Sequence, residues 1–199
     1  MSEPETKNCD KPQAKVAALL DFVRANEERF KPSLVGVVDS LRVDATVRVS
    51  SLLQDFGPMK QELRDRLGPM APELAAELKT SPFETSRIEL ELAAHNDGAF
   101  FRRHIDTQRA DDEAFKRDLR VLSGVYYFHA MPKAFTGGAL RLYAMGSRDE
   151  GKFIDVEPLH NSLVFFPSFM PHEVMRVSCP SGRFMDSRFA INCWFRKAL

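Results

Sequence analysis

The hydrophobic period of the chain changes after Pro82, and this change restricts the possible folds more than any other feature. Before it, apolar residues recur at helical spacing. Val16, Leu19, Leu20 and Val23 line one side of "PQAKVAALLDFVRANEERF", with Pro12 near the predicted helix start. Residues 55–79, rich in Leu, Glu, Lys and Arg but broken at Gly68 and Pro69, predict two helices joined by a turn. Beyond Pro82 the period is two. "SRIELELAAH" sets Ile88, Leu90 and Leu92 against Glu89 and Glu91, the alternation of a half-buried strand. Further strands are predicted at 100–106, 120–129, 138–145, 153–158, 162–168, 172–178 and 187–196, separated by turn-forming runs such as "TGG", "GSRDEG" and "CPSG". Many short strands with regular turns favour a sandwich or jelly roll over a parallel sheet. The expected fold is α+β: a double-stranded β-helix (jelly-roll) core with N-terminal helices packed on it.

A chain of 199 residues is long enough for one domain with a substantial core. The expected organisation is a polar tail at 1–12 and one domain at 13–199, mainly helical over 13–82 and with the jelly-roll core over 87–196. Lys plus Arg (28) balances Asp plus Glu (28), so no global field draws the protein to nucleic acid or an anionic membrane. Apolar runs such as "LVFF" are too short to span a bilayer, and "MSEPETKNCDK" lacks the apolar stretch of a signal peptide. A soluble, cytoplasmic protein is expected. Cys9, Cys179 and Cys193 are scattered and odd in number, which fits reduced thiols, and no function is assigned to them.

The stretch "FFRRHIDTQ" carries His104 and Asp106 two residues apart. In a strand, side chains at that spacing leave the same face, and an imidazole beside a carboxylate suits a divalent metal. A His-x-Asp tripeptide also arises by chance, so a further ligand is required. His172, after a proline turn in "FMPHEVMRV" and at the start of a predicted strand, is the best candidate. Two His and one Asp form the facial triad that leaves three positions of an octahedral Fe(II) open. No Cys lies near these residues in sequence to suggest a closed structural zinc site. His95, His129 and His160 sit beside predicted turns or strand ends, where surface or hydrogen-bonding roles are expected.

With "RRHIDT", "SGVYYFH", "FTGGALRLY", "DVEPLHNSLVFFPS", "MPHEV" and "SRFAINCWF" in this order, residues 87–196 resemble the Fe(II)- and 2-oxoglutarate-dependent dioxygenases, within them the prolyl 4-hydroxylase-like group. The resemblance implies Fe(II) at His104, Asp106 and His172, with 2-oxoglutarate and dioxygen as co-substrates and L-ascorbate as an expected associate. It implies that Arg188 grips the distal carboxylate of 2-oxoglutarate, a task that suits an arginine fork. Alternation on the last strand puts Arg188, Ala190, Asn192 and Trp194 on one face. By the same resemblance Tyr127 adds a phenolic hydrogen bond, Leu140 and Trp194 line the co-substrate pocket, and Asn192 lies near the iron's open side. A second arginine, Arg183, competes for the anchor role, but it follows the turn "PSG" and should face water.

The activity so implied is hydroxylation of an unactivated C–H bond in an amino-acid-like or peptidyl substrate, with 2-oxoglutarate decarboxylated to succinate. The alternatives are the same chemistry on a small secondary metabolite, or a non-catalytic jelly-roll sensor of metal or carboxylate. Related halogenases carry a small residue at the position of Asp106, so the carboxylate favours hydroxylation. Ala94 lies near a position where several prolyl hydroxylases carry a tyrosine, so prolyl specificity is not inherited. The charged run at 107–120 is a solvated loop or a lid, and Phe165, Phe166 and Phe169 are expected in the core.

Overall fold

The protein is described by a computed structural model over residues 11–35, 41–107, 118–144 and 151–198. It opens with helix α1 (Lys11–Ala25), followed by three short strands, β1 (Lys31–Pro32), β2 (Arg48–Val49) and β3 (Ser51–Leu53). Residues 31–53 therefore depart from the mainly helical character expected of 13–82. These strands are too short to show alternation, and their conformation is dictated by the longer strands they pair with. Helices α2 (Pro58–Leu67) and α3 (Ala71–Glu77) follow, with a single 3-10 turn over Gly68–Met70 between them. Proline near the start of each helix costs no internal hydrogen bond.

Ten more strands complete the described chain: β4 (Arg87–His95), β5 (Phe100–His104), β6 (Asp118–Phe128), β7 (Thr136–Gly137), β8 (Leu140–Tyr143), β9 (Phe153–Val156), β10 (Ser162–Pro167), β11 (His172–Val174), β12 (Val177–Ser178) and β13 (Arg188–Ala198). They form a six-stranded sheet, β1-β3-β4-β13-β6-β10, and a five-stranded sheet, β2-β5-β11-β8-β9, with β12 and β7 as a separate pair. Every described strand pairing is antiparallel. The single strand expected at 172–178 is divided, because β11 pairs with β8 whereas β12 turns to β7. Phe169 is 45% exposed and does not join the core, whereas Phe166 does. The run 108–117, which contains most of the expected lid, lies outside the described residues.

The period-two pattern of β4 and β13 separates two environments. Ile88, Leu90, Leu92, Phe189, Ile191 and Phe195 join Val16, Leu19, Val23, Leu67 and Leu74 in the main core, so the helices cover one face of the six-stranded sheet. From the other face of that sheet, Val125, Tyr127 and Ala190 meet Leu140 and Leu142 of the five-stranded sheet. Side chains from both sheets thus enclose a second, smaller core. No helix of the described residues is long and apolar enough to cross a membrane.

Gly124 of β6 shows how tightly neighbouring strands of the six-stranded sheet pack their side chains, since Cys193 and Phe165 are its register partners on either side. A Cβ there would lie 2.5 Å from Cys193 Sγ and 2.6 Å from the Phe165 ring. Gly124→Ala should cost about 1–3 kcal/mol by overpacking and lower the thermal midpoint by several degrees. A melting curve that overlays the wild type would show that the Phe165 ring and the Cys193 thiol yield more easily than close packing allows.

Candidate active site

His104 ends β5 and His172 begins β11, and these two residues are register partners across the sheet. Their rings lie 4.2 Å apart between centroids. Asp106 lies just beyond the end of β5, so the strand-face argument for the His-x-Asp spacing holds for His104 alone. A loop carries Asp106 inward instead. The Ser168 carbonyl accepts hydrogen bonds from the Asp106 and Thr107 amides, at 2.9 and 3.1 Å. Asp106 Oδ1 then lies 3.7 Å from His104 Nε2, and its Oδ2 lies 3.5 Å from His172 Nε2. One ligand atom from each of the three residues falls within 4.8 Å of the others, a set that can hold a metal ion.

The imidazoles are oriented for that task. His104 Nδ1 donates to the Arg102 carbonyl at 2.8 Å and His172 Nδ1 donates to the Met170 carbonyl at 2.9 Å. A carbonyl only accepts, so both rings carry the proton on Nδ1 and turn the Nε2 lone pair toward Asp106. Burial, with the nearby His172, pushes the His104 pKa down to about 4, which keeps it neutral at pH 7. Burial raises the Asp106 pKa, but His172, His104, Arg120 and the Ser123 hydrogen bond together outweigh it and the net shift is downward. Ser123 Oγ donates to Asp106 Oδ2 at 2.6 Å, and Ser168 Oγ lies 2.9 Å from Ser123 Oγ. Because the Ser123 proton is committed to Asp106, Ser168 is the donor of that second bond. Ser123 belongs to β6, so this chain also ties the two sheets together.

The same cavity is lined by Tyr127, Leu140, Arg188, Asn192 and Trp194, so all eight residues selected from the sequence meet there. Arg188 is 1% exposed and forms no ion pair with a carboxylate of the described residues. Its guanidinium carbon lies 4.8 Å from the Tyr127 ring centroid. Two buried polar atoms beside one another, Arg188 Nε and Tyr127 Oη, have no hydrogen-bond partner. Burial raises the Tyr127 pKa, only partly offset by Arg188, so the phenol keeps its proton and can donate. A buried cation and a buried hydroxyl left unpaired are costly, and an anion between them would satisfy both. Gly138, at φ +72°, makes room for this arrangement, since a Cβ there would lie 2.7 Å from Arg188 Cδ. Arg183, by contrast, has a side chain 76% exposed and pairs with Asp186.

Several neighbours were not foreseen from the sequence. Arg48 of β2 binds Glu91 at 3.2 Å and lies over the Phe101 ring, while Phe101 stacks on His104 at 3.6 Å. Asn192 Nδ2 donates to the same Glu91 at 3.4 Å. Arg120 lies 3.9 Å over Trp194 and is held by Glu89, which also binds Arg196 at 2.7 Å. Ser123 carried a usable signal, since it alternates with Val125 and Tyr127 on β6. Arg48 carried none, because β2 is only two residues long.

Glu89 gives this rim a pH signature. Burial raises its pKa, but the charges and hydrogen bonds of Arg120 and Arg196 outweigh it, so the folded value is depressed. A depressed carboxylate contributes stability above its unfolded pKa and loses it as pH falls through the folded value. Wild type should therefore melt above Glu89→Gln at pH 7, and the gap should close below about pH 4. A gap that stays constant down to pH 3 would remove the network's role.

Comparison with known proteins agrees with this geometry. Residues 90–196 match the 2OG-Fe(II) oxygenase superfamily. An uncharacterised PKHD-type hydroxylase of Synechocystis sp. is 36% identical over 200 residues, spanning 98% of this chain, and this chain covers 63% of its length. The crystal structure of a Pseudomonas putida prolyl-4-hydroxylase aligns with a TM-score of 0.64 at 27% identity, covering 92% of this chain and 85% of that one. A viral collagen prolyl hydroxylase from Paramecium bursaria Chlorella virus-1, solved with 2OG, shares the fold at a TM-score of 0.54 and 14% identity over 92% of this chain and 90% of that one. This chain belongs to the 2OG-Fe(II) oxygenase superfamily.

Proposed function

We propose that the protein is a non-haem Fe(II)- and 2-oxoglutarate-dependent dioxygenase that hydroxylates an unactivated C–H bond of an amino-acid-like or peptidyl substrate. The observation that carries this reading is a buried, carboxylate-free Arg188 in the same cavity as the His104, Asp106 and His172 set. The two facing sheets support a double-stranded β-helix, with residues 13–199 as one dioxygenase domain.

His104 Nε2, His172 Nε2 and an Asp106 oxygen would hold the iron, and the donor set suits it: two neutral imidazoles, one carboxylate and no thiolate. When bound, the iron and its co-substrates supply the oxidising chemistry: the substrate C–H becomes C–OH as dioxygen and 2-oxoglutarate give succinate and carbon dioxide. The chain supplies grip and shielding. Arg188 and Tyr127 offer donors to the distal carboxylate, deep enough that water does not compete. Leu140, Val125 and Phe166 close the cavity with apolar surface. Ser123 donates to Asp106 Oδ2 and would so keep the carboxylate oriented to hold the metal. With iron bound, the Asp106 carboxylate would fill the position that a halide needs, which favours hydroxylation over halogenation.

Beside the metal set a cleft of about 700 Å³ opens, sharing Arg48, Phe101, His104, Asp106 and Trp194 with the inner cavity. Leu34, Leu41 and Ile105 line it and are exposed. Its size and apolar wall favour a peptidyl segment over a free amino acid. Incubation with 2-oxoglutarate, Fe(II) and a panel of peptides, amino acids and metabolites tests the reading. Succinate formation with a substrate mass gain of one oxygen is expected. Metal-loaded protein that binds 2-oxoglutarate yet never yields succinate would instead fit a sensor.

A further inference from the structure

Arg188 is the first residue of β13, and its register partner across the sheet is His95, the last residue of β4. The pair is also bonded through its side chains, with Arg188 Nη1 lying 3.2 Å from His95 Nδ1. A guanidinium has donors only, so His95 Nδ1 must present its lone pair. That requirement fixes the ring as the uncharged tautomer with its proton on Nε2. His95 is 3% exposed and lines the cavity together with Arg188. Burial, then the charges of Arg188 and Arg48, hold its pKa well below the ordinary histidine value, in agreement with the geometry.

The chemistry of this choice is informative. Most buried arginines are steadied by a carboxylate, which cancels their charge. Arg196 of the same strand is steadied in that way, by Glu89 and Asp118. Arg188 is steadied by an acceptor that carries no charge. We infer that His95 is a positioning residue for Arg188, holding the guanidinium by one hydrogen bond while leaving its positive charge unspent for the distal carboxylate of the co-substrate. The inference rests on the reading of Arg188 as the co-substrate anchor and deepens it.

The local framework supports such a role. Asn96, which follows His95, donates to Ser187 Oγ at 2.8 Å and to the Arg183 carbonyl at 2.9 Å, and so fastens the end of β4 to the chain entering β13. The guanidinium is thereby restrained on several sides: His95 takes Nη1, the Tyr127 ring lies against its face and Gly138 leaves space for the stem. Nε is buried without a partner.

The test is a series at position 95, read by calorimetric binding of 2-oxoglutarate to the Fe(II)-loaded protein without oxygen, with pyruvate as the probe that lacks a distal carboxylate. His95→Asn keeps an uncharged acceptor and should bind 2-oxoglutarate within about threefold of wild type, whereas His95→Leu should weaken it about tenfold or more. His95→Asp should weaken it further still, because its carboxylate would pair with Arg188 and cancel the charge. Pyruvate binding should stay at the wild-type level in all three, an outcome that a merely structural role for His95 would not give. If His95→Leu does not fold, the Asn and Asp variants, equal in size, decide alone. His95→Asp binding as tightly as His95→Asn would overturn the inference. So would wild-type affinity in His95→Leu beside a large loss in Arg188→Ala, with the anchor reading intact. Wild-type affinity in Arg188→Ala would remove the anchor reading and the inference together.

Discussion

A His172→Ala variant is expected to lose the bound metal and, with it, all turnover of 2-oxoglutarate. His172 presents Nε2 to Asp106 from a strand start that is paired on both sides, to β5 and to β8. Its ring orientation is set by the Met170 carbonyl and its position by Phe166, whose ring lies 4.7 Å away. An alanine leaves one imidazole and one carboxylate, too few to define a facial set. Losing an outer partner of a metal ligand already costs about 10–100-fold in affinity, so loss of a ligand itself should exceed about 100-fold. Metal titration followed by calorimetry, together with a circular dichroism spectrum showing an intact fold, measures this directly. Ser123→Ala should fall between the two, since it removes only the hydroxyl that holds Asp106 Oδ2. A His172→Ala protein that keeps wild-type Fe(II) affinity would show that the metal, if any, is held elsewhere.

The second large effect is expected at Arg188. Removing one partner of a desolvated charge pair costs about 2–5 kcal/mol, so Arg188→Ala should raise the 2-oxoglutarate constant by roughly thirtyfold or more. Arg183→Ala should change it little, because Arg183 is solvent-exposed and already bonded to Asp186. The dependence of succinate formation on 2-oxoglutarate concentration, measured for both variants, separates the two arginines. A large effect at Arg183 with none at Arg188 would reverse their roles.

The placement of Arg188, Asn192 and Trp194 in one cavity follows from strand periodicity, and β13 is long enough to display it without ambiguity. The same holds for Ile88, Leu90 and Leu92 on β4, whose alternate residues Glu89 and Glu91 line the open cleft. Asp106 was selected for its chemistry and for a strand geometry that it does not have, since it lies beyond the end of β5. Its inward course depends on Ser168, sixty-two residues later in the chain, and no local pattern announces a contact of that range. The contacts of Arg48 with Glu91 and Phe101 were invisible for a related reason. They depend on β2 pairing with β5, and a two-residue strand has no period to read. His95 sat at an expected strand end, but its bond to Arg188 becomes apparent only once the register of β4 against β13 is known.

The division of labour between the sheets has a mechanical consequence. His104 and His172 belong to the five-stranded sheet, whereas Arg188, Tyr127 and His95 belong to the six-stranded one. A co-substrate chelated at one end and gripped at the other would act as a clasp across the gap, adding to the Ser123–Asp106 and Arg48–Glu91 ties. Amide exchange should then slow on both sheets together when 2-oxoglutarate and metal are present. With either alone the protection should remain on one side, so the two layers would breathe independently until the clasp closes.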